Sequence, residues 1–465
     1  MTHSTSDVFA TIERDSERYL EELKDYLRIP SVSTDPAFAA DVARCADFLR
    51  TRMEASGLQA EIIETQGHPL VLAERHVSDA LPTLLFYGHY DVQPPDPLEE
   101  WRNPPFEPTV EGDLLVARGA TDDKGQSYAH VKAIDALLAT RDELPVNVKF
   151  LVEGEEESGG EAIEHYVRSE PGRERLGADA VVVSDSSMYA PGQPSLLYGL
   201  KGILYVEIRV TGPNRDLHSG TFGGAVRNPG NTIADIVARL RDPETGRILI
   251  PGFYDSVRPL EDWERKEFAA LPLDEEEYRK DLGIAATFGE EGYSTLERSW
   301  ARPTLDVNGL WSGYQGPGAK TVLPAISGAK VSMRLVPDQD PDEIGRSLEA
   351  FVAQMPTDGA TVEVDVLHGA GPLLVDIEGP FAAAAMSAMQ DVWGKPPVKV
   401  REGGSIPIVG TLNEVLGAPT LLMGFGLSDD RLHSPNEKFN LSHYYQGIRT
   451  TARLLDRAAE ISGAS

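Results

Sequence analysis

Four short, strand-like apolar runs, near residues 59–64, 83–88, 146–152 and 179–184, alternate with stretches of helical spacing such as 7–27 and 36–56. A strand that is apolar at every position has both faces buried, so this pattern predicts an α/β layout, a largely parallel sheet covered by helices on both faces. Gly57 is placed to end the second helix. Between about 204 and 370 the texture changes. Leu204, Val206, Ile208 and Val210 alternate with Tyr205, Glu207, Arg209 and Thr211, and the same alternation recurs at Val331, Met333 and Leu335 and at Val362, Val364 and Val366. Strands with one wet face predict a separate antiparallel sheet, its dry face covered by helices at about 231–241 and 341–355. From about 372 the first texture returns, in the Ala-rich segment around Pro380 to Met386 and the strand Pro419 to Met423. The simplest organisation is one α/β domain, 1–199 and 372–465, interrupted by an inserted α+β domain, 200–371.

A chain of 465 residues with 41% hydrophobic content can bury such cores, and its length predicts two or three domains. The net charge of −31, from 74 acidic against 43 basic residues, argues against nucleic acid or an anionic membrane surface as partner, since both require positive charge. No apolar run is long enough to span a bilayer, and Met1 to Asp7 lacks the regions of a signal peptide, so the expected location is cytoplasmic. The single cysteine, Cys45, lies on an amphipathic pattern and reads as a core residue.

The acids gain meaning at the strand ends, where ligands bind in open α/β sheets. The run from Leu84 ends at His89, with Asp91 two residues on and therefore on the same face. Asp91 can then accept a proton from one imidazole nitrogen and leave the other for a metal. The next strand ends carry donors again: Asp122 and Asp123 before a helix, Glu155, Glu156 and Glu157 after Val152, Asp185 after Val183, and His433 in the last α/β segment. Each alone could be a helix cap or a solvated loop residue. Jointly they place imidazoles and carboxylates on one rim. Such a set without thiolates suits zinc, manganese or cobalt, and the number of carboxylates suits two ions sharing a water. Glu156 and Glu157 are adjacent, so one can face the metals while the other serves as general base.

The motifs around these residues are Gly88-His89-x-Asp91, Asp122-Asp123-Lys124-Gly125, Glu156-Glu157-Ser158-Gly159, Asp216-Leu217-His218-Ser219-Gly220, Lys320-Thr321-Val322-Leu323-Pro324, Arg334-Leu335-Val336-Pro337, Arg401-Glu402-Gly403-Gly404-Ser405 and His433-Ser434-x-Asn436-Glu437. In this order they resemble the two-metal dipeptidase, carboxypeptidase and aminoacylase family, and within it the cytosolic nonspecific dipeptidase, or carnosinase-like, branch. The resemblance implies two divalent ions per subunit, Zn²⁺ or Mn²⁺. Asp122 would bridge them, with His89 and Asp185 completing one site and Glu157 and His433 the other. Glu156 becomes the general base acting on a bridging hydroxide, Asp91 the residue that orients His89, and the Asp122-Asp123 peptide is expected to be cis. The inserted domain becomes a ferredoxin-like lid and dimerisation domain. There His218 would stabilise the oxyanion across a homodimer interface, and Arg334, Thr321 and Ser405 would hold the substrate carboxylate. The implied activity is hydrolysis of dipeptides or similar small peptides. Its alternative is an N-acyl-amino-acid deacylase or desuccinylase using the same metals, and a noncatalytic metal-binding scaffold would require loss of a base that is present. Glu155 extends the acidic run, so the roles of Glu156 and Glu157 rest on counting back from Ser158-Gly159.

Overall fold

In a computed structural model of the chain, which describes residues 4–404 and 406–461, the apolar run at 83–88 becomes the strand Thr83–His89 at the centre of a mixed sheet. The strand order is Gln59–Ile63, Leu70–Arg75, Asn147–Glu153, Thr83–His89, Ala180–Val183, Thr420–Leu422, Ser195–Leu200. The four central strands, from Asn147–Glu153 to Thr420–Leu422, are parallel, as their two-sided apolar character predicts. The flanks are antiparallel: Leu70–Arg75 runs against both neighbours, and Ser195–Leu200 runs against Thr420–Leu422. Leu84, Leu85, Phe86, Tyr87 and Ala180 to Val183 are all at most 1% exposed, which is possible only with both faces covered.

The helix Lys124–Thr140 is buried on almost every side, between the strand Thr83–His89 and the helix Leu441–Ala458. Phe86 stacks near the His130 ring at 4.8 Å and the Phe150 ring at 5.0 Å. Gly88 permits the approach of this helix to the strand, because a Cβ there would lie 2.7 Å from the Ser127 Cβ. The helix N-terminus, with Asp122 and Asp123 just before it, is thereby seated beside His89.

Local chemistry explains the departures from the sequence pattern. The helical stretch 7–27 is two helices, Thr5–Arg14 and Ser16–Leu27, broken at Asp15, whose carboxylate is held by Arg14 and Arg18. The stretch 36–56 begins as a 3₁₀ turn, Pro36–Phe38, with Asp35 accepting from the Ala37 amide, and continues as the helix Ala39–Ala55. Cys45 is buried in it, and Gly57, at φ +89°, follows its end. The run Leu70 to Ala73 is too short for periodicity to mark it as a strand.

The chain separates into two compact units, Met1–Tyr198 with Val375–Val400 and Ile408–Ser465, and Gly199–Leu374 with Arg401–Pro407. The second unit carries a four-stranded antiparallel sheet in the order Thr304–Ser312, Ile326–Leu335, Gly202–Thr211, Thr361–Ala370. The helices Pro229–Leu240 and Pro341–Ala353 pack on it, completing the strand-helix-strand-strand-helix-strand order of a ferredoxin-like fold. Leu204, Val206, Ile208 and Val210 bury against Val331, Met333 and Leu335, as the alternation requires. Between Pro229–Leu240 and Thr304–Ser312 the chain adds the short helices Asp262–Ala270, Glu275–Asp281 and Thr295–Ala301. The acidic run at Asp274 is a helix start, its carboxylate accepting from the Glu276 and Glu277 amides. No helix among the described residues is long and apolar enough to cross a membrane.

His130 gives this core a pH dependence. Its ring lies between Thr451 Oγ1 and Ser184 Oγ, each at 2.8 Å, and burial pushes its pKa down to about 3. In the unfolded chain a histidine takes its proton near pH 6.5. The contribution of His130 to stability is therefore fully present above about pH 6.5 and is lost as pH falls toward 3, at up to about 1.4 kcal/mol per pH unit. His130→Gln removes that proton, so denaturant unfolding from pH 7 to pH 5 should cost the parent about 1–2 kcal/mol more than the variant. Parallel stability curves would show that His130 is not the group responsible.

Candidate metal centre

The strand Thr83–His89 delivers His89 at its end, fully buried. Its Nε2 faces Asp122 Oδ1 at 3.1 Å and Asp185 Oδ2 at 3.9 Å. Its Nδ1 faces Asp91 twice, the backbone carbonyl at 3.1 Å and the carboxylate Oδ1 at 3.3 Å. Asp91 thus stands behind the imidazole, as alternation along the strand predicts, with its carbonyl the nearer acceptor. Its other carboxylate oxygen accepts from the Ser33 hydroxyl at 2.6 Å and from the Glu157 amide at 3.1 Å. One buried side chain therefore contacts the ring of His89 and the backbone of Glu157.

Asp122 follows a loop held against the last α/β segment, and the Asp122-Asp123 peptide is cis. Its two carboxylate oxygens diverge, Oδ1 toward His89 and Oδ2 toward His433 Nε2 at 2.9 Å. Glu157, in the 3₁₀ turn Glu156–Ser158 after Asn147–Glu153, brings Oε2 to 3.4 Å from His433 Nε2, and Gln93 Nε2 donates to the same oxygen at 2.8 Å. Two sets result, His89, Asp122, Asp185 and Asp122, Glu157, His433, the potential ligand atoms of each lying within 4.8 Å of one another. Asp122 belongs to both. His433 sits in a loop at φ 56°, and its side chain is 55% exposed, so this edge of the cluster is open.

The acidic run resolves by its partners. Glu155 accepts from the His68 amide at 2.7 Å and the Ala162 amide at 3.3 Å, which commits it to the loop beneath. Glu156 lies within electrostatic range of His89, Asp185, Glu157 and Asp122; burial, reinforced by these carboxylates, holds its own carboxyl well above the usual range. Burial does the same to Asp123, beside Asp185 and Asp122, and pushes Glu153 up to about 8. Burial opposes a charge on His89, yet hydrogen bonds to Asp122 and Asp91 outweigh it and raise its pKa. Hydrogen bonds to Asp122 and Glu157 raise His433 to about 10.

Both imidazoles are thus set among groups that seek positive charge, where a metal competes with a proton. Asp123 Oδ1 and Glu153 Oε2 are buried without a hydrogen-bond partner, so the protein's own donors do not saturate the acids around the cluster. A divalent pair fits the deficit, and the imidazole and carboxylate donors fit a borderline metal.

The remaining residues named from the sequence belong to the second unit. His218 is exposed on the two-residue strand Leu217–His218, which pairs with Val322–Leu323, and its Nδ1 lies 3.3 Å from Thr221 Oγ1. Thr321 is exposed, its carbonyl accepting from the Ser219 amide at 3.1 Å. Arg334 is half-buried on the strand Ile326–Leu335, opposite Thr304 and Ile203. Ser405 lies outside the described residues. Sequence reasoning gave no role to Ser33, Gln93, Arg118 or Glu437. For Ser33 no local pattern signals that its hydroxyl meets a carboxylate 58 positions away.

Donors converging from separate strand ends, with one aspartate shared between two sets, define a dinuclear metallohydrolase. The chain belongs to peptidase family M20/M25/M40, whose profile matches residues 85–457. It is 35% identical to the Cys-Gly metallodipeptidase DUG1 of Candida albicans, with 95% of each chain covered. It is 32% identical to the human Beta-Ala-His dipeptidase, over 98% of this chain and 92% of the relative. Among solved structures, an M20 family metallo-carboxypeptidase, Sso-CP2 from Sulfolobus solfataricus, superposes with a TM-score of 0.86 at 35% identity, covering 95% of this chain and 99% of the other.

Replacing Asp91 tests the geometry directly. Asp91→Ala removes the carboxylate beside His89 and the acceptor of the Glu157 amide, so metal affinity should fall about 10- to 100-fold. Metal retained after graded chelation, measured by elemental analysis, should show the loss; parental retention would mean that His89 and Glu157 need no such support.

Proposed function

We propose that this chain hydrolyses dipeptides, with Zn²⁺ or Mn²⁺ at both positions. The observation that carries this reading is Asp122 shared between His89 with Asp185 and Glu157 with His433, with Glu156 beside them. When bound, two such ions supply Lewis acidity and a water of lowered pKa. Glu156 takes the proton of the attacking water and returns it to the leaving amine. Asp91 holds the His89 ring so that Nε2 points into the cluster. Arg334, with Thr321 and Ser405, receives the substrate's terminal carboxylate, a task suited to a guanidinium fork.

His218 is exposed on its own unit, which supports a role toward a second copy of the chain. In this reading residues 200–371 form a lid and dimerisation domain, and His218 donates to the developing oxyanion in the partner's site. The names of the relatives support a dipeptide substrate, and the carboxypeptidase similarity places longer peptides among the competitors to be tested.

Glu156→Gln should keep parental metal content while turnover on dipeptides falls about 10²- to 10⁴-fold. The same assay, run on dipeptides, tripeptides, and acetyl- and succinyl-amino acids, tests the substrate class. Preference for the acylated amino acids would replace the dipeptidase reading with that of a deacylase.

The shared site makes a second prediction. Mixing Glu156→Gln with His218→Ala should restore activity, because the heterodimer assembles one site with both residues intact. No recovery despite demonstrated subunit exchange would mean that His218 does not act across an interface.

A further inference from the structure

Glu437 is fully buried, yet it is in neither set of candidate ligands. Both its oxygens are occupied by the loop that carries Asp122. Oε2 accepts from Arg118 Nη1 at 2.8 Å and from the Gly119 amide at 2.9 Å; Oε1 accepts from the Thr121 amide at 3.0 Å and the Asp122 amide at 3.1 Å. Arg118 is itself buried, and its other arm donates to the Pro94 carbonyl at 3.2 Å. Four residues before Glu437 stands His433, in a loop where Arg431, His433 and Asn436 all hold left-handed backbone, at φ 59°, 56° and 63°. Such conformations are costly for side chains other than glycine and persist only where surrounding contacts impose them.

The other anchors of this loop reach a different segment or the side chain of Thr121, not the Asp122 backbone. Asn436 binds the Arg102 amide and the Glu100 carbonyl, and Asp430 binds the Thr121 hydroxyl and the Leu427 amide. Among the described residues of the loop, Glu437 is the one that reaches the Asp122 amide. His89 and Asp185, by contrast, follow directly from central strands of the sheet.

We propose that Glu437 is a positioning residue that holds the His433 loop in register with Asp122, and so sets the affinity of the ion position built from Asp122, Glu157 and His433. The position built from His89, Asp122 and Asp185 is affected less, because two of its donors are fixed by the sheet. This inference rests on the two-ion reading above.

The test uses full-length Glu437→Gln, stripped with chelator and titrated with Mn²⁺ and with Zn²⁺ by calorimetry, with stoichiometry from elemental analysis. The parent should take two ions. The variant should take the second ion about 10- to 100-fold more weakly and the first with a smaller loss. A spin-coupled Mn²⁺ pair, expected in the electron paramagnetic resonance spectrum of the parent, should give way to a mononuclear signal in the variant. Two ions bound with parental affinity, or both weakened equally, would overturn the proposal. A parent that takes fewer than two ions would instead overturn the two-ion reading. If Glu437→Gln does not fold, Arg118→Gln removes the side-chain partner alone, and undiminished two-ion loading there overturns the proposal.

Discussion

The burial of carboxylates beside one another is the constraint around which this chain is built. Asp91, Asp122, Asp123, Glu153, Glu156, Glu157 and Asp185 gather about two imidazoles, and buried oxygens of Asp123 and Glu153 find no protein donor. Burial, reinforced by neighbouring carboxylates, raises the pKa values of Asp123, Glu153 and Glu156, so left uncompensated these groups would take up protons. A pair of divalent cations offsets the same charge without protonating the acids. The fold's task is to hold the acids together despite their burial, and the parallel strands do so by ending at one rim.

This explains how much of the site was legible in sequence. Strand ends can be read from apolar runs, and period-two alternation places Asp91 behind His89. Asp122, Glu156, Glu157 and Asp185 were named for the same reason, each following a strand or preceding a helix, whereas His433, in a loop, was named from its motif. The supporting contacts were not visible. Ser33 bonds Asp91 across 58 positions and Glu437 bonds the Asp122 amide across 315, and a carboxylate that accepts from backbone amides leaves no periodic trace. Glu437 stood in plain sight within a motif, but its burial and partners are properties of the fold.

The fold itself divides in the same way. Two-sided apolar runs announced the central parallel strands, and alternation announced the wet-faced sheet of the second unit. The antiparallel flank at Leu70–Arg75 escaped because its pairing, not its composition, makes it a strand. The break at Asp15 escaped because residues on either side satisfy helical spacing, and only the pairing with Arg14 and Arg18 marks the junction.

The polar groups behind Asp122 also show why the site can be both strained and fixed. Gln126 accepts from the Phe425 and Gly426 amides and donates to the Thr121 carbonyl. Thr121 meets Asp430 and the Lys438 carbonyl, while Lys438 pairs with Asp430. Each link is buried, where an unmade hydrogen bond costs most, so the network tolerates few alternative arrangements. The left-handed turn at His433 is bound into it at both ends. The ordered core beneath thus holds an open histidine in a conformation it would not otherwise keep, with the ligand edge accessible and the backbone beneath it closed.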